Sequence, residues 1–166
     1  MLHQLLSSLD QKIGFEEAKA HCDIPCGIYD PIVAQISALT VVRMIDLMAA
    51  KEAEGGEKNM AFNNSMSRYI LVKEEHAEKV KSEIRVIWGD FLKAPQFEQF
   101  PQLHGLVHQI MMLGSKGRQT TDRESAVQLV DAVNEFAEIF WKIKGISSHR
   151  AKYPMAPNLE LVYPNL

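Results

Sequence analysis

Cysteine is scarce in this chain, with two in 166 residues. A chain of this length can bury a core without covalent staples, so a disulfide scaffold is excluded, and the pair Cys22 and Cys26 needs another explanation. Basic charge is also short. Eighteen Lys and Arg face 21 Asp and Glu for a net charge of -3, and no basic block is available to neutralise a phosphate backbone, which argues against nucleic acid as a partner. Long apolar runs are missing too. The stretch Ile36–Val42 is broken by Ser37 and Thr40 and stops at Arg43, short of the roughly 20 residues of a membrane span, so no membrane partner is expected. The opening segment lacks the basic start and apolar core of a secretory signal, because Asp10, Lys12, Glu16, Glu17 and Lys19 interrupt it; the cytoplasm is the expected location. Internal repeats, low-complexity segments and convincing strand alternation are all absent from the sequence.

Helical periodicity is what remains. Asp30 as cap and Pro31 in a first turn open an apolar series, Ile32, Ile36, Leu39, Val42, Ile45 and Met48, that runs to about Glu54 and stops at Gly55 and Gly56. After a polar loop holding Asn63, Asn64 and Ser65, the positions Ala77, Val80, Ile84, Ile87 and Phe91 predict a second helix. Leu92 to Pro95 interrupts it. Leu103, Leu106, Val107, Ile110, Met111 and Leu113 predict a third, closed by Gly114 to Gly117. Thr121 with Glu124 reads as a capping box for a fourth, carried by Ala126, Val130, Val133, Ala137, Phe140 and Trp141 up to Gly145. The expected class is all-α, an antiparallel four-helix bundle over residues 31–145, preceded by a detachable segment 1–20 and followed by an irregular Pro-containing tail, 146–166.

Chemistry concentrates in the segment His21-Cys22-Asp23-Ile24-Pro25-Cys26-Gly27-Ile28-Tyr29-Asp30-Pro31. Thiolate and imidazole favour late transition metals, and Pro25 and Gly27 let so short a loop turn both sulfurs toward one ion. On spacing alone a metal site and a pair of ordinary thiols are equally open. A thioredoxin-like pair is disfavoured, since that motif needs C-x-x-C in a βαβ setting. A structural zinc site would need a fourth ligand, for which His76, His104 and His108 are the available histidines. His104 and His108 lack the His-Glu-x-x-His pattern, because Gly105 follows His104, and they read as core-edge or surface residues. Met111 and Met112 fit helix packing; Trp88 and Trp141 fit core or subunit contacts.

The segment from His21 to Pro31 resembles the metal hook of the nickel-containing superoxide dismutases, a His-Cys-Asp-x-Pro-Cys-Gly-x-Tyr-Asp-Pro sequence matched here at every fixed position. Trp88, Asp90, Lys93, Pro95, Phe97, Glu98, Pro101, Leu103 and His104 match the family's run between the second and third helices, and Phe140-Trp141 match near the end of the last. The resemblance covers roughly Ala20 to Lys144 and agrees with the helices read independently.

The resemblance implies a proenzyme. A maturation protease would remove Met1 to Ala20, making His21 the N-terminus, and the hook, residues 21–30, would bind one nickel ion per subunit. The metal ligands would be His21, Cys22 and Cys26: the His21 amine, the Cys22 amide nitrogen and both thiolates in a square plane, with the His21 imidazole axial in the oxidised state. A peptide bond ahead of His21 would leave the uncleaved chain inactive. Tyr29 would close the approach to the vacant face, the backbone at Asp23 would order water there, a cis bond would precede Pro25, and Lys93 would draw in superoxide. Apart from the resemblance, Tyr29 reads as an aromatic packed on the core and Lys93 as a solvated lysine. Family members hold the axial imidazole with a Glu and an Arg where this chain carries Ser37 and His76, with Arg68 and Arg43 as alternatives for the second role. The implied activity is conversion of superoxide to dioxygen and hydrogen peroxide by a homohexamer. The alternatives are a non-catalytic nickel or zinc binding protein using the same hook, and a thiol redox sensor.

Overall fold

Asp30 starts the first helix. Its Oδ1 accepts the N–H of Ile32 at 2.8 Å, and the Gln35 N–H closes the opening turn on the carbonyl of Pro31 at 3.0 Å, so the expected Asp–Pro entry is used with the cap position at Pro31, one residue later than expected. The computed structural model describes residues 27–166. Five α-helices follow this entry: α1 (Ile32–Ala53), α2 (Met60–Val86), α3 (Ala94–Gln99), α4 (Leu103–Gln119) and α5 (Arg123–Ile143). A π-helical turn, Ile87–Phe91, prolongs α2. Two antiparallel strands, β1 (Ser148–Lys152) and β2 (Glu160–Pro164), complete the chain, paired from Ser148 with Pro164 to Lys152 with Glu160.

The long helices pack in a ring: α1 lies against α2 and α5, and α4 against the same two. Val42, Val80, Ile84, Ile110, Val133 and Phe136 are among the residues that close the space between them. By length and composition α1 could cross a membrane, contrary to the expectation that no segment is apolar enough. It is buried on several sides instead, at Ala34, Gln35, Ser37, Ala38, Leu39, Val41, Val42, Ile45 and Met48, as the core helix of a folded domain is.

Four sequence expectations are corrected. Asn63, Asn64 and Ser65 lie inside α2, because Asn59 caps the helix by accepting the Phe62 N–H at 3.1 Å; local capping carries these first, mostly exposed turns. Gly114 and Gly117 do not end α4. A Cβ at Gly114 would stand 2.9 Å from Lys81 Cγ, and one at Gly117 would stand 3.3 Å from Val41, so both mark close approach between helices. The cap of α5 is Asp122, not Thr121, its carboxylate accepting from the N–H groups of Glu124 and Ser125. The tail expected to be irregular forms the β1–β2 hairpin, with Leu161 and Val162 buried against the helices. Its strands are too short, and buried at too few positions, to show alternation in sequence.

One buried charge holds the far end of α4. Lys73 on α2 donates to the carbonyls of Gly117, Arg118 and Thr120 at 2.7, 2.5 and 3.0 Å, satisfying helix-terminal acceptors that side chains of α4 do not reach. Burial pushes the Lys73 ammonium below its usual pKa, with Glu74 pulling the other way.

Candidate metal centre

Of the sequence-predicted site, His21, Cys22, Asp23 and Cys26 lie outside the described residues, as does the bond before Pro25. The base of the hook is described. Gly27 has φ +81, the left-handed conformation that glycine adopts without strain, and it turns the chain immediately after Cys26. Ile28 stays 80% exposed, Tyr29 is half-buried, and Asp30 delivers the chain into α1 through its bond to the Ile32 N–H.

Tyr29 meets the π-helical turn. Its ring centroid lies 5.4 Å from that of Phe91, tilted by 45°; Phe91 lies 5.1 Å from Phe140, and Phe140 lies 5.0 Å from Trp141. A line of rings therefore runs from the hook base into the core, each pair in the offset or tilted arrangement that aromatic quadrupoles favour. The Leu92 N–H bonds the carbonyl of Ile87 at 3.1 Å, a five-residue closure. The extra residue shifts Phe91 out of the plain α-helical register, and such π-turns often serve sites.

One cation stands beside this line, and two more lysines lie on neighbouring segments. Lys144 Nζ stands 5.6 Å from the Phe91 ring centroid, and Lys142 Nζ stands 5.5 Å from that of Phe100. Lys93 is exposed and precedes α3, its N–H bonded to Gln96 Oε1 at 3.0 Å. Among the described residues, neither Lys93 nor Lys144 takes part in an ion pair.

The other candidates separate. Ser37 is buried on α1, and His76 is half-buried on α2 with Nδ1 2.9 Å from the carbonyl of Val72 in its own helix. Arg43 borders the hollow between α1 and the hairpin loop, and Arg68 is exposed. His104 and His108 are exposed, in keeping with the surface reading. The ring of His104 stacks on Phe97 at 4.1 Å, and its Nδ1 accepts the indole N–H of Trp88 at 3.2 Å. That bond leaves His104 poorly placed to serve as a zinc ligand through Nδ1. Trp88 is partly exposed and Trp141 is buried. Among the described residues no group of three His, Cys, Asp or Glu converges on a common point.

Sequence reasoning missed Phe91 as the neighbour of Tyr29 and Lys144 as the cation over the Phe91 ring. Phe91 was legible only as a core position of the second helix, because a single-residue π insertion leaves no mark in a 4/3 apolar series. Lys144 had no signal beyond its charge.

The donor set suits nickel chemically. Two thiolates and an imidazole lie within the six residues His21 to Cys26, and soft anionic sulfur is the ligand type that makes a trivalent late transition metal accessible.

Comparison with known proteins bears on the same residues. The family model for nickel-containing superoxide dismutase matches residues 16–144. The nickel superoxide dismutase of Streptomyces seoulensis is 34% identical over 128 residues, 77% of this chain and 91% of the relative. That of Streptomyces coelicolor is 34% identical over 125 residues, 75% of this chain and 88% of the relative. A crystal structure of nickel-containing superoxide dismutase, with nickel ligation corresponding to the state after partial X-ray-induced reduction, superposes with a TM-score of 0.65 at 34% identity. It covers 75% of this chain and 99% of the other. The native 1.30 Å structure of nickel superoxide dismutase gives 0.64 at 32% identity, with the same coverage. Agreement over this length, in sequence and in backbone, has one reading: the chain belongs to the nickel-containing superoxide dismutase family.

Proposed function

We propose that this chain is a nickel superoxide dismutase made as a proenzyme, its long helices forming an antiparallel four-helix bundle and its ligands carried on an N-terminal hook. The observation that carries the activity is the ligand sequence His21 to Cys26 inside a family match over residues 16–144. The ring of contacts among α1, α2, α4 and α5 supports the bundle, and the Gly27 turn with the Asp30–Ile32 bond supports the hook.

The reaction takes superoxide and protons to dioxygen and hydrogen peroxide. When bound, nickel supplies one-electron cycling between its divalent and trivalent states. His21, Cys22 and Cys26 would hold it, the sulfurs donating the charge that brings the higher state within reach. Thiolates are oxidisable, so product must leave quickly. The half-buried Tyr29, set against Phe91, would restrict what reaches the hook from that side, and Asp23 keeps the role the resemblance implies for it, ordering water at the site. Lys93 offsets the negative charge of the chain, -3 over its full length, which repels an anionic substrate. Ser37 and His76 occupy the positions where the family resemblance implies an acidic and a basic residue beside the His21 imidazole, so the groups that would orient that ring differ in this chain.

Removal of residues 1–20 by a maturation protease creates the His21 amine, and the mature chain assembles as a homohexamer in the cytoplasm. The test is superoxide decay catalysed by the chain trimmed to begin at His21 and loaded with nickel, beside the untrimmed chain. Rapid decay from the trimmed form alone is expected. Bound nickel without decay would leave a metal-binding protein, and a reversible disulfide between Cys22 and Cys26 working without metal would leave a sensor.

A further inference from the structure

The β1–β2 hairpin lies beyond residue 144, where the family match ends. It is firmly docked. Leu161 and Val162 of β2 are buried, and Arg150 of β1 makes a two-point contact with Glu138 of α5 at 2.6 and 3.1 Å.

Its deepest attachment is polar. Gln35 on α1, 1% exposed, donates from Nε2 to Asn134 Oδ1 at 3.0 Å and to the carbonyl of Val162 at 3.2 Å. Asn134 on α5, also 1% exposed, donates from Nδ2 to the carbonyl of Glu160 at 2.8 Å. The two strand carbonyls only accept, so they fix which end of each amide faces them, and the Gln35–Asn134 bond then follows without choice. Two helices and a strand are joined by the buried amides of Gln35 and Asn134.

The place where Gln35 sits gives this network a consequence. Its own N–H closes the first turn of α1 on Pro31, directly after Asp30 and the Gly27 turn from which the hook leaves. We infer that the C-terminal hairpin is a clamp on the root of the metal hook, with Gln35 and Asn134 as positioning residues for the metal centre. The inference rests on the hook reading above. Freedom at the first turn of α1 passes to the ligand atoms a few residues upstream, so a firmer first turn holds them in fewer arrangements.

The test uses Gln35→Met and Asn134→Leu, which keep side-chain volume while removing the amide bonds, with Val80→Ala as a core control remote from the hairpin. Hydrogen exchange on the full chain without metal reads the clamp. Both variants should speed exchange of the Gln35–Leu39 amides about tenfold while the α4 amides keep their wild-type rates. In the chain trimmed to His21, release of nickel to a chelator should quicken several-fold, whereas Val80→Ala should lower the melting temperature and leave release unchanged. Exchange that is unchanged, or that rises equally in α1 and α4, overturns the clamp; so does faster exchange with nickel release as in wild type. A trimmed wild-type chain that takes up no nickel would sink the hook reading, and with it the positioning role, while the exchange data would still decide whether the hairpin holds α1.

Discussion

The ring of Tyr29 leans on the ring of Phe91 at 5.4 Å, joining the base of the hook to a π-helical turn at the end of α2. Phe91 is backed by Phe140 at 5.1 Å, so the tyrosine rests on the core and not on a mobile loop. Phe91→Ala should destabilise the fold by about 2 to 4 kcal/mol, below the roughly 3 to 5 kcal/mol of a fully buried phenylalanine because Phe91 is only partly buried. It should also lower turnover of the nickel-loaded, trimmed chain, while Phe91→Tyr keeps most of both. Urea denaturation and superoxide decay on the same samples check the two effects.

Lys144, over the Phe91 ring, and Lys93, two residues along the chain from Phe91, are exposed cations in a chain whose full-length net charge is -3. Each Lys→Gln change should lower kcat/KM about two- to five-fold at low ionic strength, and the double change should flatten the dependence on salt. Equal salt dependence in wild type and double variant would remove both residues from substrate attraction.

Lys73 is the structural counterpart, a buried ammonium on three carbonyls at the end of α4. Lys73→Met keeps the stem but strands those acceptors, and should cost about 2 to 3 kcal/mol. Thermal and urea unfolding measure it. A change within about 0.5 kcal/mol would mean that water takes over the carbonyls.

Glu78 sets an acid limit. The hydrogen bond from Arg85 holds its carboxyl below the ordinary 4.5, helped by the charges of Lys81, Arg85 and Arg118. The stability from this cluster is therefore complete above pH 4.5 and is lost as pH falls through the lower folded-state value. The side chain is 39% exposed, so solvent screening limits the effect to about 1 kcal/mol or less. Urea midpoints between pH 7 and pH 3 should fall less steeply for Glu78→Gln than for wild type.

The existence and apolar faces of the four long helices follow from spacing, because apolar periodicity is a local property of a chain; residue type brings His21, Cys22 and Cys26 together in sequence, and the family resemblance names them as ligands. The positions that tertiary structure decided depend on contacts between distant segments. Gly114 and Gly117 read as stops, and only the approach of Lys81 and Val41 makes them packing positions. Phe91 read as one more apolar helix residue until the π-turn brought it to Tyr29. The tail read as irregular because the partners of β2 are Gln35 and Asn134, 127 and 26 residues away along the chain from Val162 and Glu160. A buried amide network has no period in sequence. It exists only when the helices have already met, and that meeting decides how firmly the root of the hook is held.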